Sequence, residues 1–214
     1  NAKKLNKICR LYNVPLLEDS AESLGSFVNK KHVGSESVIS TLSFNGNKII
    51  TTGGGGMILT NDENIYDRAK HISKTSKINH RWHFNHDEIG YNYRMPNLNA
   101  ALGIAQFEKL DDFLIKKRDL AIEYQNWGEK HGVEFIKDKK NISSNYWLNC
   151  MLVEDVIERD KFLKYTNDNK IMTRPSWIPM HKLEMFKHCL CMDLSNTDWI
   201  HDRLINVPSS PINI

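Results

Sequence analysis

The stretch SFNGNKIITTGGGG, residues 43–56, places one lysine between an Asn-Gly dipeptide and four consecutive glycines. Asn-Gly between two apolar runs is typical of a tight hairpin turn, in which Lys48 would be a solvated side chain. A nucleotide-binding P-loop is disfavoured, because the lysine of that motif follows its glycines. Consecutive glycines also let the backbone approach a bulky or charged group closely, so Lys48 is equally a candidate for the centre of a site.

Strand and helix patterns alternate on both sides of this stretch. Helical periodicity over residues 2–12 precedes a short strand that ends in Asp19, and a second strand ends near Ser43. A third strand follows the glycines, and then a helix capped by Asn61 or Asp62. This alternation indicates an α/β layer with a largely parallel sheet.

The pattern changes twice along the rest of the chain. Residues 73–94 are polar, aromatic and aperiodic, which predicts a long functional loop. One long helix is predicted to start near Pro96 and to be followed by a new series of strands and helices. We therefore predict that residues 1–115 belong to a large α/β domain and residues 116–214 form a smaller α+β domain.

The composition excludes several classes of protein. The chain is 40% hydrophobic and 26% charged, as expected of a globular protein. Its net charge is +3, and its basic residues form no long block that would indicate binding to nucleic acid. Its apolar runs are far shorter than the roughly 20 residues of a membrane span. The four cysteines follow no CxxC spacing, which favours a reducing, cytoplasmic location.

Two groups of side chains could offer metal ligands. They are His181 with His188, Cys189 and Cys191, and the loop series His80, His83 and His86. Structural zinc usually uses two separated ligand pairs, and a three-residue spacing aligns ligands only on a helix. No metal site is therefore predicted, and the histidine-rich stretch is interpreted as a loop that closes over substrate.

Asp19, Ser43 and Lys48 stand at or just beyond the ends of adjacent predicted strands. Ligands of open α/β folds commonly bind at this edge of the sheet. A lysine, a carboxylate and a hydroxyl are the groups needed to hold pyridoxal phosphate through a Schiff base, the pyridinium nitrogen and the phosphate. The sequence therefore predicts pyridoxal 5'-phosphate as a cofactor.

Three motifs in order resemble one family. EDSAESLG, SFNGNK followed by TTGGGG, and GYNYRMPNLNAALGIAQFEKL are similar to successive signatures of the DegT/DnrJ/EryC1/StrS nucleotide-sugar aminotransferases. The stretches INHRWHFNHDEIGYNYRMPNLNAALG, SNYWLN, TRPSW and NVPSS resemble the branch that acts in legionaminic acid and bacillosamine synthesis.

The resemblance implies a fold-type I pyridoxal-phosphate transferase, like aspartate aminotransferase, with part of the large domain and the small C-terminal domain. The implied reaction moves an amino group from glutamate to C4 of a nucleotide-linked 4-keto-6-deoxy-N-acetylhexosamine for bacterial surface glycans.

The resemblance also implies roles at the cofactor. Lys48 matches the lysine that binds the cofactor covalently and then moves the proton, and Asp19 matches the partner of the pyridinium nitrogen. Ser43 matches a phosphate ligand, and Glu22 stands near the cofactor's 3' oxygen, where most of the family has glutamine. Asn92 matches a residue that reaches the phosphate bound by a second subunit, which implies a homodimer with shared active sites.

Four further residues are implied to bind substrate. Tyr93 and Arg94 would approach the diphosphate of the nucleotide sugar, and Arg174 and His181 would contact sugar or nucleotide. The alternative for each basic residue is a solvated side chain or one satisfied in the core.

The resemblance begins in mid-domain, without the family's N-terminal glycine-threonine loop and stacking aromatic residue, so we expect a fragment of a longer chain or a truncated product. Two other functions stay open. One is a non-catalytic nucleotide-sugar-binding or dimerisation module. The other is a sugar dehydratase, but family members with that activity carry histidine at the position of Lys48, so the lysine argues against it.

Overall fold

The computed structural model describes residues 1–211, which form two compact units. The first unit comprises residues 1–114 and 140–145, and the second comprises residues 115–139 and the described residues from 146 onward. The last three residues of the predicted second domain lie outside the described part. The assignment of a large cofactor-binding domain and a small domain to these units stays a prediction.

The described residues contain six α-helices and ten short strands. The helices are α1 (Ala2–Leu11), α2 (Glu63–Ile72), α3 (Asn97–Phe107), α4 (Leu110–His131), α5 (Val156–Asp168) and α6 (Ser195–His201). The strands are β1 (Leu17–Asp19), β2 (Phe27–Val28), β3 (Lys31–His32), β4 (Ile39–Ser43), β5 (Gly56–Leu59), β6 (Glu134–Phe135), β7 (Ile142–Ser143), β8 (Asn149–Leu152), β9 (Arg174–Pro175) and β10 (Leu204–Val207).

A three-stranded sheet in the order β1-β4-β5 organises the first unit. Strands β1 and β4 run parallel with Asp19 opposite Thr41, whereas β4 and β5 run antiparallel with Ser43 opposite Gly56. The expectation of a largely parallel sheet holds for β1 and β4 but was wrong for β5. The reason is that the chain returns from β4 to β5 through a loop, which permits antiparallel pairing without a helical crossover.

The core of the first unit holds this loop against a helix. Its buried side chains are Leu42, Phe44, Ile50, Leu110 and Leu114. They come from β4, from the loop that follows it and from the start of α4. The apolar residues of SFNGNKII thus anchor the stretch around Lys48 instead of leaving it as a solvated turn.

Helix α2 begins directly after one of the two residues predicted as its N-cap. The carboxylate of Asp62 accepts hydrogen bonds from the backbone N–H groups of Asn64 and Ile65, at 2.9 and 3.2 Å. These bonds satisfy two of the N–H groups that a helix start leaves without a partner. Asp62, and not Asn61, is therefore the cap.

Replacing this cap should weaken the first unit measurably. We expect Asp62→Ala to lower the free energy of unfolding by about 1 kcal/mol, the usual cost of losing an N-cap side chain. Asn61→Ala is the matched control and should change it by less than about 0.5 kcal/mol. Urea unfolding followed by circular dichroism measures both, and equal effects of the two variants would contradict the capping assignment.

The prediction of one long helix after Pro96 was wrong, because this part of the chain forms two helices, α3 and α4. At the junction the Lys109 N–H donates to the Gln106 carbonyl at 3.1 Å, three residues back rather than four. Such tightening ends a helix without a proline or glycine. Apolar periodicity continues across the junction, so the sequence pattern does not reveal the break.

The second unit is built on an antiparallel sheet in the order β6-β8-β10-β9. Its core consists of Phe135, Met151, Ile205 and Val207, with Phe162 and Leu163 of α5 packed against it. The sequence pattern did not predict strand β10, because LINV closely follows the last helix. Ile205, Asn206 and Val207 are all buried, so the strand lacks the alternation of buried and exposed residues that marks a half-buried strand.

A buried lysine joins separate segments of the second unit. The Lys117 ammonium on α4 donates hydrogen bonds to the carbonyls of Trp147 at 2.8 Å and Ser209 at 2.7 Å. Burial lowers the pKa of Lys117 from 10.5 to about 8, because the charged form is penalised away from water.

This lowered pKa predicts how stability changes with pH. Between about 8 and 10.5 the unfolded chain keeps a proton on Lys117 that the folded chain releases, so stability should rise with pH in this window. The contribution is at most about 1.4 kcal/mol per pH unit. Urea unfolding of the wild type and of Lys117→Met across this window isolates the contribution of Lys117 to the free energy of unfolding, since the other titrating groups are common to both proteins. A difference between the two proteins that falls or stays constant with rising pH would contradict the assignment.

Among residues 1–211, no helix is long and apolar enough to cross a membrane.

Candidate functional site

Two of the predicted site residues end neighbouring parallel strands. Asp19 is the last residue of β1, and its carboxylate Oδ1 accepts hydrogen bonds from the Ala21 N–H at 3.1 Å and the Thr41 hydroxyl at 3.4 Å. Ser43 is the last residue of β4, two residues and about 7 Å along the strand from Thr41. Because β1 and β4 are parallel, the exposed Asp19 carboxylate and the Ser43 hydroxyl lie at the same edge of the sheet.

The loop of residues 44–55 places Lys48 beyond this edge. The Lys48 N–H donates to the Asn45 carbonyl at 3.1 Å, and the Thr52 N–H returns to the Phe44 carbonyl at 3.0 Å. The chain therefore makes a broad, internally bonded loop before β5. The alternative of a tight hairpin at Asn45-Gly46 was wrong, because the antiparallel pairing starts only at Gly56.

The glycines let this loop rejoin the sheet. Gly53 and Gly55 have φ values of +77° and +125°, a region in which residues with a Cβ are strained. A Cβ on Gly55 would also lie 2.9 Å from the Met95 side chain. The expectation that the glycines let the backbone approach a bulky or charged group stays a prediction, beside this local conformational need.

The Lys48 amine forms an ion pair with the Glu22 carboxylate. The side chain of Lys48 is only 13% exposed, whereas that of Glu22 is 47% exposed. The alternative that Lys48 is a solvated side chain on a turn was therefore wrong. Glu22 follows Asp19 by three residues, so the ion pair brings Lys48 to the sheet edge where Asp19 and Ser43 lie.

Helix α3 contacts the loop of residues 44–55, which the sequence did not predict. The amide of Asn99 donates to the Thr52 carbonyl at 2.5 Å, and a Cβ on Gly103 would lie 2.8 Å from the Thr52 side chain. Helix α3 thus packs closely on the end of the Lys48 loop. Asn99 lies within a family-like motif, but a contact across 47 residues has no local sequence signal.

Asn92, Tyr93 and Arg94 lie exposed at the end of the predicted long loop. The Tyr93 N–H donates to the Ser73 carbonyl at 3.1 Å, and its ring stacks on Tyr91 with centroids 5.1 Å apart. The loop is thus held at its base. The predicted contacts of these three residues with a second subunit and a nucleotide sugar stay predictions.

Two of the three loop histidines contact each other, and the third contacts a backbone carbonyl. His80 accepts a hydrogen bond from the His83 N–H at 3.0 Å, and the two rings lie 4.5 Å apart. His86 Nδ1 lies 2.7 Å from the Thr75 carbonyl. The three histidines do not lie on a helix, as expected from the absence of helical periodicity.

A different set of possible metal ligands comes together at the loop base. Nitrogen and oxygen atoms of His71, Asp87 and Glu88 lie within 4.8 Å of one another. The Arg68 guanidinium donates to Glu88 at 2.6 Å and holds the pKa of that carboxyl below its usual value. His71 lies 2.7 Å from Asp87 and lowers the pKa of that carboxyl by hydrogen bonding. These residues therefore already satisfy each other as an ion-pair network.

The remaining two predicted residues lie in the second unit. Arg174 donates to the Asn167 amide oxygen at 2.7 Å and to the Thr173 carbonyl at 2.8 Å. His181 Nε2 lies 3.0 Å from the Asp198 carboxylate, whose pKa is lowered chiefly by a hydrogen bond from Lys182. His181 also lines a mostly apolar pocket of about 470 Å³. Substrate binding by Arg174 and His181 stays a prediction.

The chain belongs to the DegT/DnrJ/EryC1/StrS aminotransferase family, whose pattern it matches over residues 1–212. This membership confirms the family predicted from the motifs. The family is dependent on pyridoxal phosphate, in agreement with the cofactor predicted from Asp19, Ser43 and Lys48.

Two relatives illustrate the similarity. The chain is 39% identical over 214 residues to the GDP-perosamine synthase of Escherichia coli O157:H7, covering 98% of this chain and 57% of the relative. It is 37% identical over 198 residues to EpsN of Bacillus subtilis (strain 168), covering 92% of this chain and 51% of EpsN, which is assigned by name to the pyridoxal phosphate-dependent aminotransferases.

A solved structure gives the fold. The aminotransferase TlmJ from Streptoalloteichus hindustanus superposes with a TM-score of 0.90 at 22% identity, over 97% of this chain and 56% of that one. This similarity confirms the predicted fold class of the fold-type I transferases. The chain thus spans only about half the length of the proteins it matches.

Proposed function

We propose that the chain is part of a pyridoxal-phosphate-dependent enzyme that transfers an amino group to a nucleotide-linked keto sugar. The observation that supports this most is the arrangement of Lys48, Asp19 and Ser43 at one edge of the sheet. Their amine, carboxylate and hydroxyl fit the aldehyde, ring nitrogen and phosphate of the cofactor. When bound, the cofactor supplies an electron sink for the carbon that loses or gains a proton.

Lys48 would attach the cofactor and afterwards hold and move a proton at Nζ. The low exposure of its side chain favours this role, because an amine shielded from water exchanges protons with its neighbours rather than with solvent. The Glu22 carboxylate would orient the amine until the cofactor arrives and then lie near the cofactor's 3' oxygen. An amine on a flexible, solvated turn would have neither advantage.

Asp19 would bind the protonated ring nitrogen. Its Oδ1 is held by the Ala21 N–H and the Thr41 hydroxyl, so the direction of the carboxylate is fixed before anything binds. A fixed negative charge stabilises a positive ring nitrogen through a charge-assisted hydrogen bond. Ser43 would donate a hydrogen bond from its hydroxyl to a phosphate oxygen.

Asn92 would reach the phosphate held by a second copy of the chain, so that the active form is a homodimer. Its exposure, together with that of Tyr93 and Arg94, agrees with a surface that binds a partner or a ligand. Arg94 offers a guanidinium suited to a diphosphate. Arg174 and His181 are proposed as additional contacts to sugar or nucleotide.

Two substrate classes are proposed. The motif resemblance favours a nucleotide-linked 4-keto-6-deoxy-N-acetylhexosamine, as in legionaminic acid and bacillosamine synthesis, with glutamate as amino donor. A GDP-linked sugar is the second candidate, favoured by the 39% identity to a GDP-perosamine synthase.

Incubating the purified, cofactor-loaded protein with glutamate and each class of keto sugar tests the proposal. Mass spectrometry should detect an amino sugar with one of them, together with 2-oxoglutarate. Product from neither sugar, in a protein that binds nucleotide sugar but no cofactor, would favour the non-catalytic module instead.

A further inference from the structure

Residues 20–26 connect β1 to β2 and are called the Glu22 loop. This loop is held by a segment that lies more than 100 residues later in the chain. Strand β7 pairs with β2, with Ile142 opposite Val28, and residues 140–145 belong to the first unit although the residues on either side belong to the second. Asn145 ends this inserted segment and is only 3% exposed.

Asn145 binds the Glu22 loop through two backbone carbonyls and one side-chain hydroxyl. Its Nδ2 donates to the carbonyls of Glu22 at 2.7 Å and Leu24 at 2.9 Å. Its own backbone N–H donates to the Ser26 hydroxyl at 3.0 Å. A buried amide with both of its N–H groups used in this way resists movement of the loop, because each lost bond leaves a buried polar group unsatisfied.

We propose that Asn145 is a positioning residue, which fixes the backbone at Glu22 so that the carboxylate faces the Lys48 amine. The Glu22 side chain is half exposed, so its direction depends on the backbone that bears it. The importance of this for cofactor attachment rests on the proposed function, in which Lys48 binds the cofactor. The ion pair itself does not depend on that function.

Two substitutions remove the donor amide. Asn145→Asp keeps the shape but places an acceptor against two carbonyls, and Asn145→Ala leaves both carbonyls unsatisfied. Asn206→Ala is the matched control, since Asn206 is also buried and its Nδ2 donates to the carbonyls of Arg174 at 3.4 Å and Pro175 at 3.1 Å in the second unit. Ser26→Ala removes only the bond from the Asn145 N–H and provides a milder variant.

The first measurement is made on the cofactor-free protein. We expect an amine-reactive acetylating reagent to modify Lys48 faster in Asn145→Asp than in the wild type, by at least about threefold, as for residues that share a hydrogen-bond network. Peptide mass spectrometry gives the rate at Lys48 relative to the exposed Lys31. Asn206→Ala should leave this ratio unchanged even if it lowers the unfolding midpoint.

A double substitution distinguishes positioning from general destabilisation. If Asn145 acts through Glu22, then Asn145→Asp should add little to the effect of Glu22→Gln on Lys48 labelling. Additive effects would overturn the proposal. If the Asn145 variants do not fold, Ser26→Ala takes their place with a smaller expected increase, and unchanged labelling there would overturn the proposal as well.

Cofactor attachment supplies the second measurement. Loss of attachment in Asn145→Asp, with attachment retained in Asn206→Ala, would support the role of Asn145. If the wild type itself binds no cofactor while the labelling result holds, the proposed function fails but the positioning role stands. If the wild type and Asn145→Asp bind the cofactor equally and label equally, the positioning role fails alone.

Discussion

Replacing Lys48 with alanine is expected to abolish amino-group transfer. The loss should be at least on the order of 10²- to 10⁴-fold, the usual contribution of a positioned acid-base group, because the same residue would also attach the cofactor. The cofactor-loaded wild type and variant are compared by the rate of amino-sugar formation. Thermal unfolding of both proteins establishes that the variant is folded.

Lys31→Ala is the matched control for this variant. Lys31 also forms an ion pair with a glutamate, Glu36, at 3.1 Å in the first unit, but its side chain is 65% exposed. We expect the control to keep its activity, since exposed ion pairs contribute little. Full activity of Lys48→Ala would exclude Lys48 as the catalytic lysine.

Asp19→Asn should separate cofactor attachment from catalysis. The substitution keeps the size of the side chain but removes the charge that would stabilise a protonated ring nitrogen. We expect the rate constant to fall by about 10²- to 10³-fold, as when one fixed electrostatic partner of a reacting group is lost. Covalent attachment at Lys48 should persist, because Lys48 and its ion pair with Glu22 are unchanged.

The exposed Asp67 of α2 provides the control for Asp19. Asp67→Asn changes the net charge by the same amount without altering the edge of the sheet. It should retain the wild-type rate, as surface substitutions usually do. An Asp19→Asn protein as fast as Asp67→Asn would remove the carboxylate from the proposed chemistry.

The sequence predicted the parts of this site that are close along the chain. Asp19, Ser43 and Lys48 could be found because each stands at a strand end or in the adjoining loop, and strand ends are marked by where the apolar pattern stops. Glu22 was implied only by the resemblance of its motif to the family. The structure adds its ion pair with Lys48.

The supporting residues could not be predicted in the same way. Asn99 and Asn145 contact their loops across 47 and 123 residues, and neither periodicity nor turn chemistry reports contacts over such separations. Both lie in motifs that indicated the family, but one sequence does not indicate what each motif residue touches. The same limit explains why the antiparallel direction of β5 was not predicted. The direction of this strand depends on the path of the loop before it rather than on its own residues.

The helix boundaries illustrate a second limit. The cap at Asp62 was among two predicted candidates because capping has a local chemical cause. The break between α3 and α4 was missed because it depends on one tightened hydrogen bond at Lys109. Apolar residues continue at helical spacing on both sides of that bond.

The most direct test of the central claim is to find where the cofactor attaches. The protein is loaded with pyridoxal phosphate, reduced with borohydride, digested and examined by peptide mass spectrometry. The account predicts a stable phosphopyridoxyl group on Lys48. Its attachment to another lysine, or its absence from a protein that has turned yellow with bound cofactor, would contradict the account.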